Sequence, residues 1–538
     1  METMETYKLR ILGLVQGVGF RPFVFTLARS YKLNGYVENR NDGVTLLLNG
    51  TRKRILEFRD DLIRTAPEAS SIETIEIEKV KDIPFNSFQI QSSEDVSDAV
   101  TEISPDIAVC SDCLADMSQQ PHRRNFPLIN CTHCGPRFSI ITGLPYDRPN
   151  TTMAPFEMCP ECRSEYENIE DRRFHAQPVA CNRCGPAYRL IMDGRDIRDL
   201  DQLFSRIKKL LPQGGVLAVK GTGGYHLMCD AFSEKGVVKL RTLKKRDGKP
   251  FTVMFSNVDE ARKFVEISAV EESSLSSWRR PIVLLKKRAA FTRGIADDLS
   301  ALGVMLPYMP FHHLLFEYLE TQSVVLTSGN FSDEPILISD EIVAGTLLKH
   351  VDGVVSYNRE IYNRIDDSVV THVLGKSLVL RRSRGYAPAP IRTGIDLEGI
   401  LATGAELTGS FCIGKGNQAI MSQYLGDLKN LETLEFYKES YSRFCRLFRF
   451  TPEMVISDMH PDYLSSQFAE QLVEENQEIP HIHVQHHHAH IASVMLDCGL
   501  GGDVLGFAFD GTGLGSDGHT WGAEVMQAGY IDFKRLFH

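Results

Sequence analysis

Eight of the twelve cysteines are arranged as four C-x-x-C pairs between positions 110 and 184. They form two sets of four: Cys110, Cys113, Cys131, Cys134, and Cys159, Cys162, Cys181, Cys184. The inner cysteines are separated by 17 residues in the first set and by 18 in the second. Two C-x-x-C turns can direct four thiolates at one ion, and a closed four-thiolate set is typical of structural rather than catalytic zinc. The matched strings CTHCGPRF and CNRCGPAY predict two similar zinc modules in tandem, within residues 104–190.

Redox dithiols and unrelated core cysteines are two other interpretations of these residues. Both fit poorly with two matched sets in one chain. His122, His133 and His175 lie near the sets, but all eight ligand positions are already cysteine, so we interpret these histidines as bystanders. The other four cysteines are scattered, and packing is their default role.

Size and charge limit the class of protein. A chain of 538 residues exceeds what one hydrophobic core supports, so about three to five domains are expected. The formal net charge of -11 argues against a nucleic acid partner. The N-terminal residues lack the pattern of a signal peptide, and no apolar run approaches the roughly 18 residues of a membrane span. We therefore expect a cytoplasmic protein, with reduced thiols and no membrane partner.

Residues 1–93 predict a ferredoxin-like sandwich. Alternating apolar residues over 7–15 predict a strand, and a glycine-rich turn then leads into an amphipathic helix. Further strand, hairpin and helix signals complete the order βαββαβ. The backbone amides of the turn at residues 16–20, together with the helix dipole, would suit an anion. Arg21 follows that turn and can hold phosphate through two nitrogens.

Two strings in this segment, VQGVGFRPFV and GYVENRNDGV, resemble the acylphosphatase family. The resemblance implies a phosphate-binding loop made of Gln16, Gly17, Val18, Gly19 and Phe20. It also implies two catalytic residues, Arg21 to bind phosphate and Asn39 to orient the attacking water. Without these strings, the glycine turn would predict no more than a strand-to-helix connection.

Residues 198–392 predict an α/β domain that carries a basic cluster. Lys244, Arg246 and Lys249 form a K-x-R-x-x-K pattern at the end of a predicted helix. Such a cluster would suit a triphosphate. The alternative is an ordinary solvated helix face, which is the usual role of a charge run.

The strings VVLTSGNFSDEP and LRRSRGYAP resemble the YrdC family, whose members make carbamoyl-adenylate-type intermediates from ATP. The resemblance implies that ATP with Mg²⁺ binds at four residues: Lys244, Arg246, Ser328 and Asn330. His226 is a further candidate for this site, whereas His312 and His313 are expected to pack. The fold implied is a twisted, mainly parallel sheet with a concave, basic centre.

Residues 393–538 begin with a predicted strand meander and continue with helices and a histidine-rich segment. His486 and His490 are four apart on a predicted helix, so they share one face and can bind one metal. Asp510 follows an apolar strand and is a plausible third ligand, with His487 and His488 as flanking candidates. The alternatives are a polar helix start and an ordinary hairpin aspartate.

The strings QHHHAHIASVM and FDGTGLGSDG resemble the metal-binding lobe of the Kae/TsaD-like carbamoyltransferases, which have the actin-like ATPase fold. The resemblance implies one divalent metal, zinc or iron, at His486, His490 and Asp510. That fold has two lobes, and the sequence ends at His538, soon after the first. We therefore expect an incomplete domain.

The order of the four segments resembles the hydrogenase maturation carbamoyltransferases. The resemblance implies that carbamoyl phosphate is cleaved and that the carbamate reacts with ATP to give carbamoyl adenylate and pyrophosphate. It further implies transfer of the carbamoyl group to the C-terminal cysteine of the partner HypE, with release of AMP. That group is a precursor of the cyanide ligands of the [NiFe] site.

Two other functions share parts of this pattern. YrdC-like and Kae-like units also serve tRNA threonylcarbamoyl modification, although usually without an acylphosphatase domain. A zinc-dependent interaction scaffold without catalysis is the other alternative. Cleavage of carbamoyl phosphate that depends on Arg21 would argue against the scaffold.

Overall fold

The computed structural model describes residues 4–40, 43–91, 102–245, 248–331, 334–476 and 478–538. The chain divides into two compact units. The first runs to Ala389, apart from a few residues before Ile336, and the second runs from Pro390 to His538. None of the helices within the described residues is long and apolar enough to cross a membrane.

The N-terminal part of the first unit is a five-stranded sheet covered by two helices. Its elements are β1 (Glu5–Leu14), α1 (Phe20–Ser30), β2 (Asn34–Arg40), β3 (Gly43–Gly50), α2 (Arg52–Arg64), β4 (Ser71–Val80) and β5 (Phe88–Ile90). The strand order β4-β1-β3-β2-β5 is the predicted ferredoxin-like arrangement with one added edge strand. Helix α1 begins after Gly19, whose φ of 78° suits a residue without a side chain.

The two cysteine sets follow, each with one short helix, α3 (Ser111–Gln119) and α4 (Pro160–Glu167). Each helix begins directly after the first cysteine of its set, Cys110 or Cys159. The C-x-x-C pair therefore occupies the first turn of the helix. Most of the module is irregular backbone, which fits a structure held by a metal ion rather than by a large core of its own.

An eleven-stranded sheet forms the rest of the first unit. Its strands are β6 (Tyr188–Met192), β7 (Arg195–Ile197), β8 (Leu217–Lys220), β9 (Tyr225–Asp230), β10 (Val253–Phe255), β11 (Ile282–Lys286), β12 (Ala301–Met305), β13 (Ser323–Ser328), β14 (Gly353–Tyr357), β15 (Val369–Val373) and β16 (Lys376–Arg381). The helices are α5 (Leu200–Leu210), α6 (Glu234–Lys244), α7 (Val258–Arg262), α8 (Ala269–Ser276), α9 (Pro310–Tyr318) and α10 (Asp340–Gly345). The sheet includes β6 and β7, which both lie before the predicted domain start at residue 198.

The prediction of a mainly parallel sheet is wrong. Seven of the ten strand pairings described in this sheet are antiparallel. The reason is visible at β8 and β9, which are joined by only four residues, 221–224. Such a short connection reverses the chain into a hairpin, whereas parallel neighbours need a long crossover.

The second unit contains a six-stranded mixed sheet and a smaller three-stranded sheet. Its strands are β17 (Ile391–Arg392), β18 (Ile400–Ala402), β19 (Cys412–Lys415), β20 (Gln418–Met421), β21 (Met454–Asp458), β22 (His481–Val484), β23 (Val504–Ala508), β24 (Gly513–Leu514), β25 (Thr520–Trp521), β26 (Glu524–Ala528) and β27 (Phe533–Phe537). Its helices are α11 (Leu431–Phe448), α12 (Leu464–Glu475) and α13 (His486–Asp497). The ends of β21 and β23 and the start of α13 carry the polar residues described below.

Candidate functional site

The glycine loop between β1 and α1 forms the floor of a small pocket. Val18 and Phe20 bury their side chains in the core, so the loop is anchored on both sides of Gly19. The Gln16 side chain holds the loop against the next hairpin, because its Nε2 donates to the carbonyls of Arg40 and Gly43. Helix α1 has no side-chain cap at its N-terminus, so the dipole and the first amides can serve an anion.

Arg21 and Asn39 meet in this pocket. Both are buried, at 8% and 3% exposure. With the Asn39 amide oxygen directed at the guanidinium, it accepts from Arg21 Nε at 3.1 Å and from Nη2 at 3.3 Å. Burial lowers the pKa of the Arg21 guanidinium, and Asp147, 3.9 Å from Nη2, opposes that shift. The two predicted catalytic side chains therefore form one preorganised polar pair.

The zinc modules provide the roof of the same pocket. Its lining combines loop residues 16–21 and Asn39 with a set from the modules that includes Thr132, Arg137, Tyr146, Phe174 and His175. Arg137 Nε donates to the Gly17 carbonyl. A Cβ at Gly19 would lie only 2.5 Å from the His133 ring, so no larger residue fits under the first module. Sequence reasoning did not foresee this roof, since its residues lie more than a hundred positions from the loop.

Both cysteine sets have the geometry of a zinc site. Three Sγ separations in the first set are 3.6 to 3.8 Å, two in the second are 3.7 and 3.8 Å, and all four Sγ atoms of each set lie within 4.8 Å of one another. A regular tetrahedron with Zn–S bonds of about 2.3 Å has edges of about 3.8 Å. Each set therefore fits one structural zinc ion, as predicted, and His122, His133 and His175 belong to neither set.

Each cysteine set receives an arginine from the other module. Arg123, in the first module, donates from Nη2 to Cys162 Sγ at 3.3 Å and pairs with Glu165. Arg172, in the second module, donates from Nη1 to Cys113 Sγ at 3.5 Å and pairs with Asp116 on α3. Each arginine lies ten positions after the second cysteine of its own set, a repeat that sequence reasoning overlooked.

Three of the four predicted nucleotide-binding residues come together at the end of β13. Lys244 Nζ donates to the carbonyls of Ser328 at 2.9 Å and Asn330 at 2.8 Å, and also to Asn330 Oδ1. Ser328 Oγ donates to the same Asn330 Oδ1 at 2.8 Å. Lys244 is 1% exposed, so its charge is held inside the loop that it organises. Arg246 lies outside the described residues.

His226 belongs to a neighbouring buried network. Its Nε2 lies 3.0 Å from Asp367 Oδ2, and Arg384 Nε donates to Asp367 Oδ1 at 2.7 Å. Burial alone would raise the pKa of the Asp367 carboxyl, but Arg384 and His226 outweigh it and lower that pKa. His312 is 2% exposed and packs edge-on against Tyr308, which agrees with the packing role expected for it.

The second unit brings together His486, His490 and Asp510 at the start of α13. One nitrogen of each histidine and one carboxylate oxygen lie within 4.8 Å of one another. Both Asp510 oxygens are buried and lack a partner of hydrogen-bond geometry among the described residues, which is costly unless a cation binds there. Two histidines and a carboxylate are a usual donor set for zinc or iron, so these residues fit a divalent metal.

Asp458, at the end of β21, is a member of this cluster that the sequence patterns did not reveal. Its Oδ2 lies 2.7 Å from His486 Nδ1, which orients the imidazole with Nε2 toward Asp510. The flanking candidates have other contacts. His487 Nδ1 is bonded to Gln485 Nε2, and its Nε2 lies 3.2 Å from Asp510, while His488 bonds the Gly529 carbonyl.

Family models match consecutive segments along almost the whole chain. An acylphosphatase model matches residues 7–90, and a HypF finger model matches 109–141 and 158–191. A model of the Sua5, YciO and YrdC proteins, described as telomere recombination, matches residues 209–383. The HypF Kae1-like domain matches 396–497, and the second subdomain of the carbamoyltransferase Kae1-like domain matches 506–538.

Curated relatives match over nearly the full length of the chain. Carbamoyltransferase HypF of Rhodobacter capsulatus is 39% identical over 541 residues, which are 99% of this chain and 72% of the relative. Carbamoyltransferase HypF of Synechocystis is 42% identical over 542 residues, 99% of this chain and 70% of the relative. A threonylcarbamoyl-AMP synthase of Xanthomonas euvesicatoria is 32% identical over 166 residues, but these are only 30% of this chain.

Solved structures of HypF proteins share the fold over nearly the whole chain. A crystal structure of full-length HypF in the phosphate- and nucleotide-bound form has a TM-score of 0.94 and 44% identity, covering 100% of this chain and 70% of that one. The crystal structure of T. kodakarensis HypF has a TM-score of 0.91 and 40% identity, covering 99% and 69%.

Proposed function

This chain belongs to the HypF carbamoyltransferases, and from that premise we propose how its sites divide the reaction. The observation that carries the proposal is the presence of two organised polar sites in one unit. One is the Arg21–Asn39 pair above the glycine loop, and the other is the Lys244–Ser328–Asn330 cluster. The first suits an acyl phosphate, and the second suits a nucleotide.

Carbamoyl phosphate is cleaved in the Arg21 pocket. Arg21 and the loop amides bind the phosphoryl oxygens, where negative charge increases in the transition state. Asn39, held by its contact with Arg21, orients a water molecule. The water oxygen forms a bond to phosphorus, the bond between phosphorus and the acyl oxygen breaks, and carbamate leaves with phosphate as the second product.

Carbamate then reacts with ATP at the second site. A carbamate oxygen bonds to the α-phosphorus of ATP, and pyrophosphate leaves with the electron pair of the broken bond. The loop fixed by Lys244 carries Ser328 and Asn330, and with Arg246 these residues are proposed to hold ATP and its Mg²⁺. The preorganisation of the loop that carries Ser328 and Asn330 lowers the cost of ordering the triphosphate.

The carbamoyl group is finally transferred to an acceptor thiol, which we identify with the C-terminal cysteine of HypE. The sulfur bonds to the carbonyl carbon, the bond from that carbon to the AMP phosphate oxygen breaks, AMP leaves with its electron pair, and the thiol proton passes to solvent. His486, His490 and Asp510 would hold a divalent metal, zinc or iron, that supplies Lewis acidity when bound. Asp458 keeps His486 oriented for that role. The product is the precursor of the cyanide ligands of [NiFe] hydrogenases.

The setting of the reaction follows from its chemistry. Eight thiolates that bind zinc are best preserved in a reducing compartment, so we propose a cytoplasmic location. The substrates are carbamoyl phosphate and ATP. The proposed domains are the acylphosphatase-like domain at residues 1–93, the zinc modules at 104–190, the YrdC-like domain at 198–392 and the Kae-like domain at 393–538.

The test is ATP–pyrophosphate exchange, measured with and without carbamoyl phosphate. Exchange should require carbamoyl phosphate in the unsubstituted chain. Arg21→Gln should lower carbamoyl phosphate cleavage by about a hundredfold, because it removes the main charge that stabilises the transition state. Exchange should fall with it.

Arg29→Gln is the matched control. Arg29 lies on the same helix, is more than half exposed, makes a 3.4 Å surface pair with Glu170 and lies over the Phe25 ring at 5.6 Å. It should leave both activities unchanged. Exchange that proceeds equally well without carbamoyl phosphate would contradict the proposed function.

A further inference from the structure

We propose that His175, in the second zinc module, is a specificity-determining residue of the Arg21 pocket. Its imidazole accepts a hydrogen bond from the amino group of a carbamoyl substrate and thereby selects carbamoyl phosphate over acyl phosphates without that group. This proposal rests on the proposed function of the pocket. It adds the means by which the pocket recognises the acyl part of the substrate.

The position of His175 is tightly determined. It lines the pocket together with Arg21 and Asn39. Its ring stacks on Tyr166, with centroids 5.0 Å apart and planes 10° apart, and packs against Phe174 at 4.3 Å. Its backbone is left-handed, with φ of 54°, and its N–H donates to the Tyr166 carbonyl at 3.0 Å. An unfavourable backbone held by surrounding contacts is a common feature of functional residues.

The hydrogen-bonding capacity of the His175 imidazole is unused among the described residues. The other polar side chains that the modules contribute to the pocket have partners. Arg137 is bonded to backbone carbonyls, and Tyr146 donates to the Pro136 carbonyl at 3.2 Å. Thr132 donates to the Arg172 carbonyl at 3.0 Å. Gln177 is occupied as well, since its Oε1 accepts from the Arg148 amide at 2.8 Å.

The charge state of His175 suits an acceptor. Burial, assisted by the positive charge of Arg21, lowers the pKa of the imidazole to about 4. The ring is therefore neutral near pH 7 and has one nitrogen with a free lone pair. A neutral ring beside Arg21 also leaves the guanidinium as the cation that binds the phosphoryl group.

An amino group is the feature that separates a carbamoyl from an acetyl group of nearly the same size. A half-buried acceptor such as the His175 imidazole gains a partner from the amino group and is left unpaired by a methyl group. Sites built around such a hydrogen bond discriminate strongly, because the analogue leaves a desolvated polar group without compensation. The pocket is also small and roofed, so larger acyl groups are excluded by space.

The experiment compares hydrolysis of carbamoyl phosphate and acetyl phosphate by the full chain. His175→Ala should lower kcat/KM for carbamoyl phosphate about tenfold or more, with acetyl phosphate hydrolysis changed less than about twofold. His175→Asn should restore part of the preference, because its side-chain oxygen is also an acceptor. Arg29→Gln, the exposed control on α1, should leave the preference unchanged.

Zinc content is measured in every variant and should stay at the level of the unsubstituted chain. Equal loss of both activities in His175→Ala would reduce His175 to a structural role and overturn the proposal, as would an unchanged preference. A failure of the unsubstituted chain to cleave carbamoyl phosphate would overturn the proposed function itself, and is visible before any substitution is made.

Discussion

The two zinc modules share their ligand spacing but differ in their surroundings. In the first, Cys113, Cys131 and Cys134 belong to the main hydrophobic core of the first unit, together with residues of β1, α1 and β6. In the second, Cys159, Cys162 and Cys181 form a small cluster of their own with Met158, and the half-buried Cys184 packs against both this cluster and the edge of the main core. The same motif is thus a central element of the fold in one copy and a local one in the other.

The contacts with the Arg21 pocket follow the same division. The first module touches the glycine loop itself, through Arg137 on Gly17 and His133 against Gly19. The second module closes the pocket from above with Phe174 and His175. A metal module inserted between two enzymatic segments can therefore shape a site directly, in addition to holding segments in place.

Removing one zinc ligand from each module in turn should lower the free energy of unfolding by different amounts, and this is the largest effect we expect. Cys134→Ser should lose one zinc ion and lower the free energy of unfolding by about 4 kcal/mol, because Cys134 is fully buried in the main core. The equivalent Cys184→Ser should also lose one ion but cost about half as much. Zinc analysis and thermal unfolding of both variants check this, and equal losses of stability would contradict the comparison.

Arg123 and Arg172 each donate to a cysteine of the other module, so each should slow the loss of zinc from that other module. Arg123→Met removes a charged donor to Cys162, so zinc should leave the second module about tenfold faster, although Arg123 lies in the first. Arg172→Met should do the same to the first module. Chelator-driven release, with alkylation of the freed cysteines read by mass spectrometry, identifies which ion is lost.

Arg183→Met is the matched control for the Arg123 and Arg172 substitutions. Arg183 lies between Cys181 and Cys184 of the second set, but it is 69% exposed and makes only a 3.4 Å pair with Glu161. Exposed pairs of this kind contribute little, so release should be unchanged. If Arg123→Met or Arg172→Met instead released zinc from the module that contains the substituted arginine, the arginine–thiolate contacts between the modules would not stabilise the bound ions.

The smallest expected effect is on how the free energy of unfolding changes with pH. His175 stays neutral in the folded chain because its pKa is lowered to about 4, whereas the unfolded chain takes up that proton near pH 6.5. The free energy of unfolding should therefore fall as pH drops from about 6.5 to about 4, with about 1 kcal/mol of the loss due to His175. Denaturation of His175→Gln at pH 7.5 and pH 5.0 should show a smaller difference than the unsubstituted chain. An identical difference would rule out this contribution.

Sequence patterns predict least well the strand pairings and side-chain contacts between residues that lie far apart in the chain. The sequence patterns predict a mainly parallel sheet after the zinc modules, but short connections such as residues 221–224 make most of its described pairings antiparallel. The sequence indicates only that His175 is not a zinc ligand, yet its side chain lines the Arg21 pocket. Asp458 carried no recognisable pattern, since it lies 28 positions before the histidine that it orients.

The sequence by itself determined the features that depend on local spacing. Two cysteines or two histidines a few positions apart are brought together by one turn, so the zinc sets and the His486–His490 pair could be read directly. The loop before Arg21 is equally local. Only the tertiary structure decided which module is central, which arginine serves which ion and what covers the glycine loop. Those answers depend on packing between segments far apart in the chain, where no repeat distance constrains the contact.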